Sequence, residues 1–184
     1  MKKNLFLITL ITLFVFIFSS TVMYAIDHTS CYDLIWFYGG WGYNGSLEVI
    51  INYTYTQNGT RDYTYRISQG ADEWSSEFNF FKFTKVTSNG NCKITSDDYL
   101  DNGWVGIAYY TRSPKEIKLN QWYHDNYSNY GYVEYERTVI HEFGHLHGLN
   151  HVDCVDEIMS NNPNRNISQT YLGEGDKAGI RDKY

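Results

Sequence analysis

The alternation of apolar and polar positions predicts several β-strands. Residues 47–55 alternate, with Val49 and Ile51 on one side, and this period of two is typical of a strand; an Asn-Gly turn follows. Residues 78–86 return to β character. Shorter strand candidates, separated by Asp, Asn, Gly or Pro, are residues 92–96, 104–111 and 116–119.

Apolar side chains recur at helical spacing over residues 62–76 and 132–148, and a last short helix is predicted between residues 173 and 184. The positions that carry the spacing are Ile67, Ala71 and Trp74 in the first helix and Val139, Phe143 and Leu146 in the second. The order of elements predicts an α+β (α/β-like) sandwich of one sheet and few helices. We expect a right-handed strand–helix–strand crossover followed by a meander.

Composition limits the class of protein. A chain of 184 residues suits one domain with a real core, and 18% aromatic residues against only 2 Pro exclude a disordered protein. The net charge of −6 makes nucleic acid a poor partner, because no basic face is present to neutralise phosphates. We therefore expect a single acidic domain, and a monomer.

The start of the chain has the pattern of a secretory leader. A basic start precedes an apolar run over residues 5–18, and small residues follow up to Ala25. We predict that residues 1–25 are a signal peptide, that residues 26–184 form the mature domain, and that the protein is secreted without stable membrane association. The alternative is an uncleaved anchor, because the uncharged stretch is long enough to span a bilayer.

Three cysteines, Cys31, Cys92 and Cys154, would then meet an oxidising compartment. One disulfide and one free thiol is the simplest arrangement, but the sequence does not choose the pair. Three reduced thiols are the alternative.

The stretch HEFGHLHGLNH, which starts at His141, carries the chemistry. His141 and His145 are one helical turn apart, so both imidazoles leave the same face and can bind one Zn²⁺. Gly148 lets the chain leave the helix, and the turn brings His151 back as a third ligand. Glu142 lies beside the first ligand, where its carboxylate can reach a water on the metal's open position.

This stretch fits the metzincin signature at every fixed position, and the chain resembles the matrixin (matrix-metalloproteinase-like) branch of these zinc endopeptidases. Met159 follows the third histidine by eight residues and is similar to the family's Met-turn methionine, an apolar floor beneath the metal. Asn161 stands where astacin-type metzincins carry a tyrosine. Residues 176–180 resemble the family's closing helix.

The resemblance implies a twisted, mixed five-stranded sheet with a crossover helix, an active-site helix and a C-terminal helix. It implies that residues 26–184 form a catalytic domain with one catalytic zinc, which hydrolyses peptide bonds through a zinc-bound water activated by Glu142. Protein or peptide substrates, including those of the extracellular matrix, would extend along an edge strand. The residues implied in substrate binding are Gly106, Ile107, Ala108, Tyr109 and Ser160, and residues 160–164 would wall the pocket for the side chain after the cut bond.

Other titratable residues have weaker interpretations. The acidic loop at residues 97–102 is either a calcium site, as loops of the family are, or a solvated turn. His147 points away from the triad, while His28 and His124 lack a partner pattern. Cys31 is predicted to pair in a disulfide, with capping of the zinc as the alternative.

A function from another class remains an alternative at this point. The chain would then be a secreted binding or adhesion module in which zinc is structural and the many tyrosines form the contact surface. Glu142 argues against it, because a structural zinc site does not need that carboxylate.

Overall fold

The computed structural model describes residues 30–41 and 48–184. Within them, the strands are β1 (Val49–Gln57), β2 (Phe81–Lys85), β3 (Cys92–Asp97), β4 (Gly106–Tyr109) and β5 (Lys115–Asn120). The helices are α1 (Thr64–Glu77), α2 (Trp122–Asn126), α3 (Tyr132–His147) and α4 (Glu174–Lys183). The predicted signal peptide and Leu47, the first residue of the first predicted strand, lie outside the described residues.

The strands form one five-stranded sheet in the order β2-β1-β3-β5-β4. β1 pairs in parallel with both β2 and β3, β3 pairs in parallel with β5, and only β4 runs antiparallel to its neighbour β5. This confirms the mixed five-stranded sheet. The predicted meander is wrong for most of the sheet: β3 returns beside β1 rather than β2, so β4 and β5 form the one antiparallel pair of the described strands.

Helices α1 and α3 pack against each other over the sheet and form the core with it. The side chains that carry the helical spacing, from Ile67 to Leu146, are all buried. Trp74 of α1 is fully buried, and its indole N–H donates to the Ile140 carbonyl of α3 at 3.0 Å. The periodicity therefore identified the faces that meet, because burying apolar surface is what stabilises both helices.

Two predicted strands are shorter in the structure than the sequence pattern suggested. Phe78, predicted to start a strand, caps α1 instead, with its N–H on the Trp74 carbonyl at 3.0 Å, and the strand starts at Phe81. The strand predicted at residues 104–111 shortens to Gly106–Tyr109. The short helix α2 was not predicted, because five residues are too few for a helical period to show.

Residues 30–41 form an N-terminal segment that lies along the end of α3. The Ile35 N–H donates to the Gly148 carbonyl and the Asn150 N–H donates to the Asp33 carbonyl, each at 2.9 Å. A disulfide joins Cys31 to Cys154. The sequence had left the pairing of the three cysteines open.

Cys92 is a buried free thiol on β3. No helix in the described part of the chain has the length and apolarity needed to cross a membrane.

Candidate active site

Helix α3 places the first two histidines, and the way it ends places the third. Gly148 has a φ of +99°, a left-handed conformation that glycine adopts without strain. The Leu149 N–H then donates back to the Gly144 carbonyl at 2.9 Å, which closes the helix end. The chain reverses over three residues, so that His151 returns to the face that carries His141 and His145.

The three imidazoles converge on one point. Nε2 of His151 lies 3.0 Å from Nε2 of His141 and 3.1 Å from Nε2 of His145. The ligand atoms all lie within 4.8 Å of one another. Hydrogen bonds on the side of the ring away from this point fix the orientation of two histidines. The Nδ1–H of His141 donates to the Ile158 carbonyl at 2.7 Å, and the Nδ1–H of His145 donates to the Leu149 carbonyl at 2.9 Å. Their Nε2 lone pairs consequently face the common point.

This donor set fits a zinc ion. Three neutral nitrogens so close together repel through their lone pairs unless a cation lies between them, and ligands of one tetrahedral zinc are about 3.3 Å apart. Burial lowers the pKa of all three imidazoles, to about 4 for His145, so that they are neutral at physiological pH. Neutral imidazole is the form that binds metal.

Glu142 lies beside this point in an apolar setting. The residue is 5% exposed, and burial raises the pKa of its carboxyl to about 8, although a hydrogen bond from the Ala108 backbone acts in the opposite direction. β4 passes directly over the carboxylate: a Cβ on Gly106 would lie 2.9 Å from Oε1 of Glu142. The edge strand and the acid–base candidate are thus in contact.

Met159 packs against the helix that carries the first two histidines; its role as an apolar floor beneath the metal stays a prediction. The side chain is 1% exposed, and its sulfur occupies the space that a Cβ on Gly144 would need, between the two helical histidines. The turn that carries Met159 is fixed by Asp176 of α4, whose carboxylate accepts the Ile158 N–H at 2.7 Å and the Met159 N–H at 3.1 Å. α4 thereby supports the carbonyl that orients His141.

A cleft of about 620 Å³ runs along β4 and past the histidines. Of the residues predicted to bind substrate, Gly106, Ile107, Ala108 and Ser160 line it. Tyr109 does not; the Arg112 guanidinium lies 3.6 Å from its ring centroid, and Tyr110 lines the cleft instead.

Sequence reasoning missed two arginines that line this cleft, Arg137 and Arg165. A signal was available for the first, because Arg137 precedes His141 by one helical turn and thus lies on the same face of α3.

The remaining histidines have other environments. His147 is fully buried in the core, stacks on Phe81 at 4.1 Å, and its Nδ1 accepts the Trp41 indole N–H at 3.1 Å. His124 contacts the Tyr63 hydroxyl through Nδ1 at 3.2 Å, away from the triad. His28 lies outside the described residues.

The acidic loop uses its side chains in local hydrogen bonds. Asp98 accepts the Leu100 N–H at 2.9 Å, and Asp101 accepts the Tyr123 hydroxyl at 3.0 Å. In residues 30–41 and 48–184, the histidine triad is the single cluster of three or more His, Cys, Asp or Glu positioned for a metal. Calcium binding by this loop stays a prediction.

Comparison with known proteins identifies the family of this chain. A matrixin peptidase family model matches residues 41–184, whereas no curated protein matches. A solved structure titled "Structure of myroilysin" is similar at 23% identity and a TM-score of 0.44, over 64% of this chain and 54% of that one. This chain thus aligns with about half of that protein's length. Because the family match spans the histidine helix, the Met-turn and most of the chain, this chain belongs to the matrixin family.

Proposed function

We propose that this protein is a zinc-dependent metalloendopeptidase. The observation that carries the proposal is the convergence of three Nε2 atoms beside the buried carboxyl of Glu142. Three protein ligands are typical of a catalytic zinc, whereas structural sites use four. Membership of a peptidase family supports the same activity.

His141, His145 and His151 would hold the zinc. When bound, zinc supplies Lewis-acid polarisation of the substrate carbonyl and a water of lowered pKa. Glu142 accepts a proton from the attacking water and delivers it to the nitrogen of the leaving amine. The Ala108 backbone hydrogen bond holds the Glu142 carboxylate towards β4, where the substrate would lie.

Strand β4 orients the peptide. It is an outer strand of the sheet, and one of its sides pairs with β5 while the other faces the cleft. An extended peptide can therefore add to β4 by backbone hydrogen bonds, which would lay its scissile carbonyl across the histidines. The family resemblance implies that Ser160 is part of the wall of the pocket for the side chain after the cut bond, and the position of Ser160 in the lining of the cleft supports this.

The test is hydrolysis of casein, gelatin and a broad peptide library by zinc-loaded protein, with and without a chelator, beside Glu142→Ala. We expect chelator-sensitive cleavage by the wild type and none by the variant. Folded, zinc-loaded wild type that cleaves nothing would overturn the proposal and favour the binding or adhesion module. Equal cleavage by both proteins would identify a contaminating protease.

We also propose that the protein is secreted after cleavage of residues 1–25. The support is the basic, then apolar, then small-residue pattern of the leader. Expression in a secreting host, fractionation and N-terminal sequencing test this. Mature protein in the medium that starts near residue 26 is the expected result. Full-length protein retained in the membrane fraction would instead support the uncleaved anchor.

A further inference from the structure

One part of the cleft contains two arginine side chains that the proposed mechanism does not use. Arg137 is 6% exposed and lines the cleft. Its Nη2 donates to the Ile158 carbonyl at 2.9 Å, but its buried Nε–H has no partner among the described residues. A buried guanidinium N–H without an acceptor is costly, so an acceptor at this place is favoured.

Arg165 faces the same region from the loop that follows the Met-turn. Its Nη1 donates to the Asn162 carbonyl at 3.0 Å, while its Nε–H is likewise buried and unpartnered within the described part of the chain. Arg165 and Arg137 line the same cleft, and the positive charge of Arg165 contributes to the lowered pKa of Arg137. The two guanidinium groups therefore lie close to each other in this part of the cleft.

No carboxylate of the described residues forms an ion pair with either arginine. Glu134 lines the same side of the cleft but is engaged elsewhere. Its Oε2 accepts the Gly131 N–H at 2.8 Å, and its Oε1 accepts the Ser168 hydroxyl at 3.0 Å. The pocket is thus lined by two guanidinium groups that have no ion-pair partner among the described residues, and the carboxylate whose charge acts on Arg137 is Asp176 of α4.

We propose that Arg137 and Arg165 make this pocket selective for an acidic substrate side chain, Asp or Glu, at the residue that follows the cut bond. This inference rests on the proposed peptidase function and on its placement of Ser160 beside that residue. A substrate carboxylate supplies acceptor oxygens that are not already engaged and a negative charge that pairs with the two guanidinium groups. An apolar side chain would instead exclude water and leave both Nε–H groups without partners.

The experiment compares matched fluorogenic peptides that differ only at the residue after the cut bond, with Glu, Gln, Leu or Lys. The wild type should cleave the Glu peptide with a kcat/KM about tenfold above that of the Leu peptide, as expected for hydrogen bonds to a charged group. Arg165→Met should remove most of this ratio, and Arg165→Glu should shift the preference to Lys. Arg181→Met is the matched control, because Arg181 is exposed on α4 and does not line the cleft.

Arg165 is the residue to change, because Arg137 also supports the Ile158 carbonyl that orients His141. A preference for Leu in the wild type, or an unchanged Glu-to-Leu ratio in Arg165→Met, would overturn the selectivity while leaving the peptidase function intact. Absence of any cleavage would instead overturn the peptidase function.

A binding measurement tests the pocket without turnover. Fluorescence anisotropy with zinc-loaded Glu142→Ala should show tighter binding of the Glu peptide than of the Leu peptide. The difference should disappear when Arg165→Met is added. Equal affinities of Glu142→Ala for the two peptides would also overturn the selectivity.

Discussion

At the scale of single residues, the site depends on where each proton lies. His141 and His145 each give their Nδ1–H to a backbone carbonyl, which fixes the tautomer and leaves Nε2 for the metal. Glu142 is the buried carboxyl beside them that can exchange a proton, and burial makes its carboxylate a stronger base by raising its pKa. The division between metal ligands and proton carrier therefore follows from hydrogen bonding and burial.

Glu142→Gln should separate proton transfer from metal binding. The amide fills the same space but cannot accept the proton, so we expect kcat/KM to fall by about 10²–10⁴. Zinc content, measured by atomic absorption on the dialysed protein, should stay the same. A variant that loses zinc together with activity would show that Glu142 helps to hold the metal.

His151→Ala should weaken zinc binding without unfolding the protein, because His151 is an exposed residue on the turn after α3. Binding to the folded state raises Tm, so removal of zinc by a chelator should lower the Tm of the wild type. The same chelator should change the Tm of His151→Ala much less.

His124→Ala is the matched control for this experiment, because His124 contacts Tyr63 rather than the triad. It should keep the chelator response of the wild type. An equal chelator response in His151→Ala and the wild type would contradict a role for His151 as ligand.

At the scale of elements, the sequence predicted those features that depend on local pattern. The alternation of residues 49–55 and the spacing of residues 139–146 identified β1 and α3, and the fixed positions of the histidine stretch identified the triad. The strand order could not be predicted, because parallel pairing joins segments that lie far apart in the chain and leaves no local signal. Arg165 was missed for the same reason, since only folding brings it to the cleft.

Two buried carboxyl groups join the Met-turn to α4. Glu157 and Asp176 are both buried, and the Asp176 N–H donates to Glu157 Oε2 at 2.9 Å. Burial, with the nearby Asp176 charge as a second cause, raises the pKa of Glu157 to about 7; burial also raises the pKa of Asp176. The folded state therefore binds protons more tightly than the unfolded chain between the ordinary pKa of glutamate and about pH 7.

The stability of the protein should therefore depend on pH, and Glu157→Gln should reduce that dependence. With the folded pKa above the unfolded one, the stabilisation is fully present below the ordinary pKa and is lost as pH rises through about 7. We expect the variant to match the wild type near pH 5 and to exceed its free energy of unfolding by about 1–3 kcal/mol at pH 8. Urea denaturation at both pH values measures this. A difference in the free energy of unfolding that is the same at pH 5 and pH 8 would contradict the raised pKa of Glu157.

At the scale of the whole molecule, the ends of the described chain support the site from outside. The N-terminal segment pairs with the turn between α3 and His151, and α4 holds the Met-turn through Asp176. The disulfide between Cys31 and Cys154 links the N-terminal segment to the loop between His151 and Met159. Segments that lie far apart in the sequence thus hold the third histidine in place together.

Replacement of both Cys31 and Cys154 by serine should therefore destabilise the fold and weaken zinc binding together. The disulfide spans 123 residues of sequence, and loss of a native disulfide costs about 2–5 kcal/mol. For a chain of this size, that corresponds to a fall in Tm of about 5–15 °C. Because the N-terminal segment also hydrogen-bonds Asn150, its release should speed zinc dissociation, which a chromogenic chelator can follow.

A reducing agent supplies the control for this prediction. It should lower the Tm of the wild type to that of the double variant and leave the double variant unchanged, because Cys92 is buried and unpaired. A further fall in the double variant would assign the redox effect to Cys92. Normal zinc dissociation in a double variant of lowered Tm would show that the disulfide stabilises the fold without positioning His151.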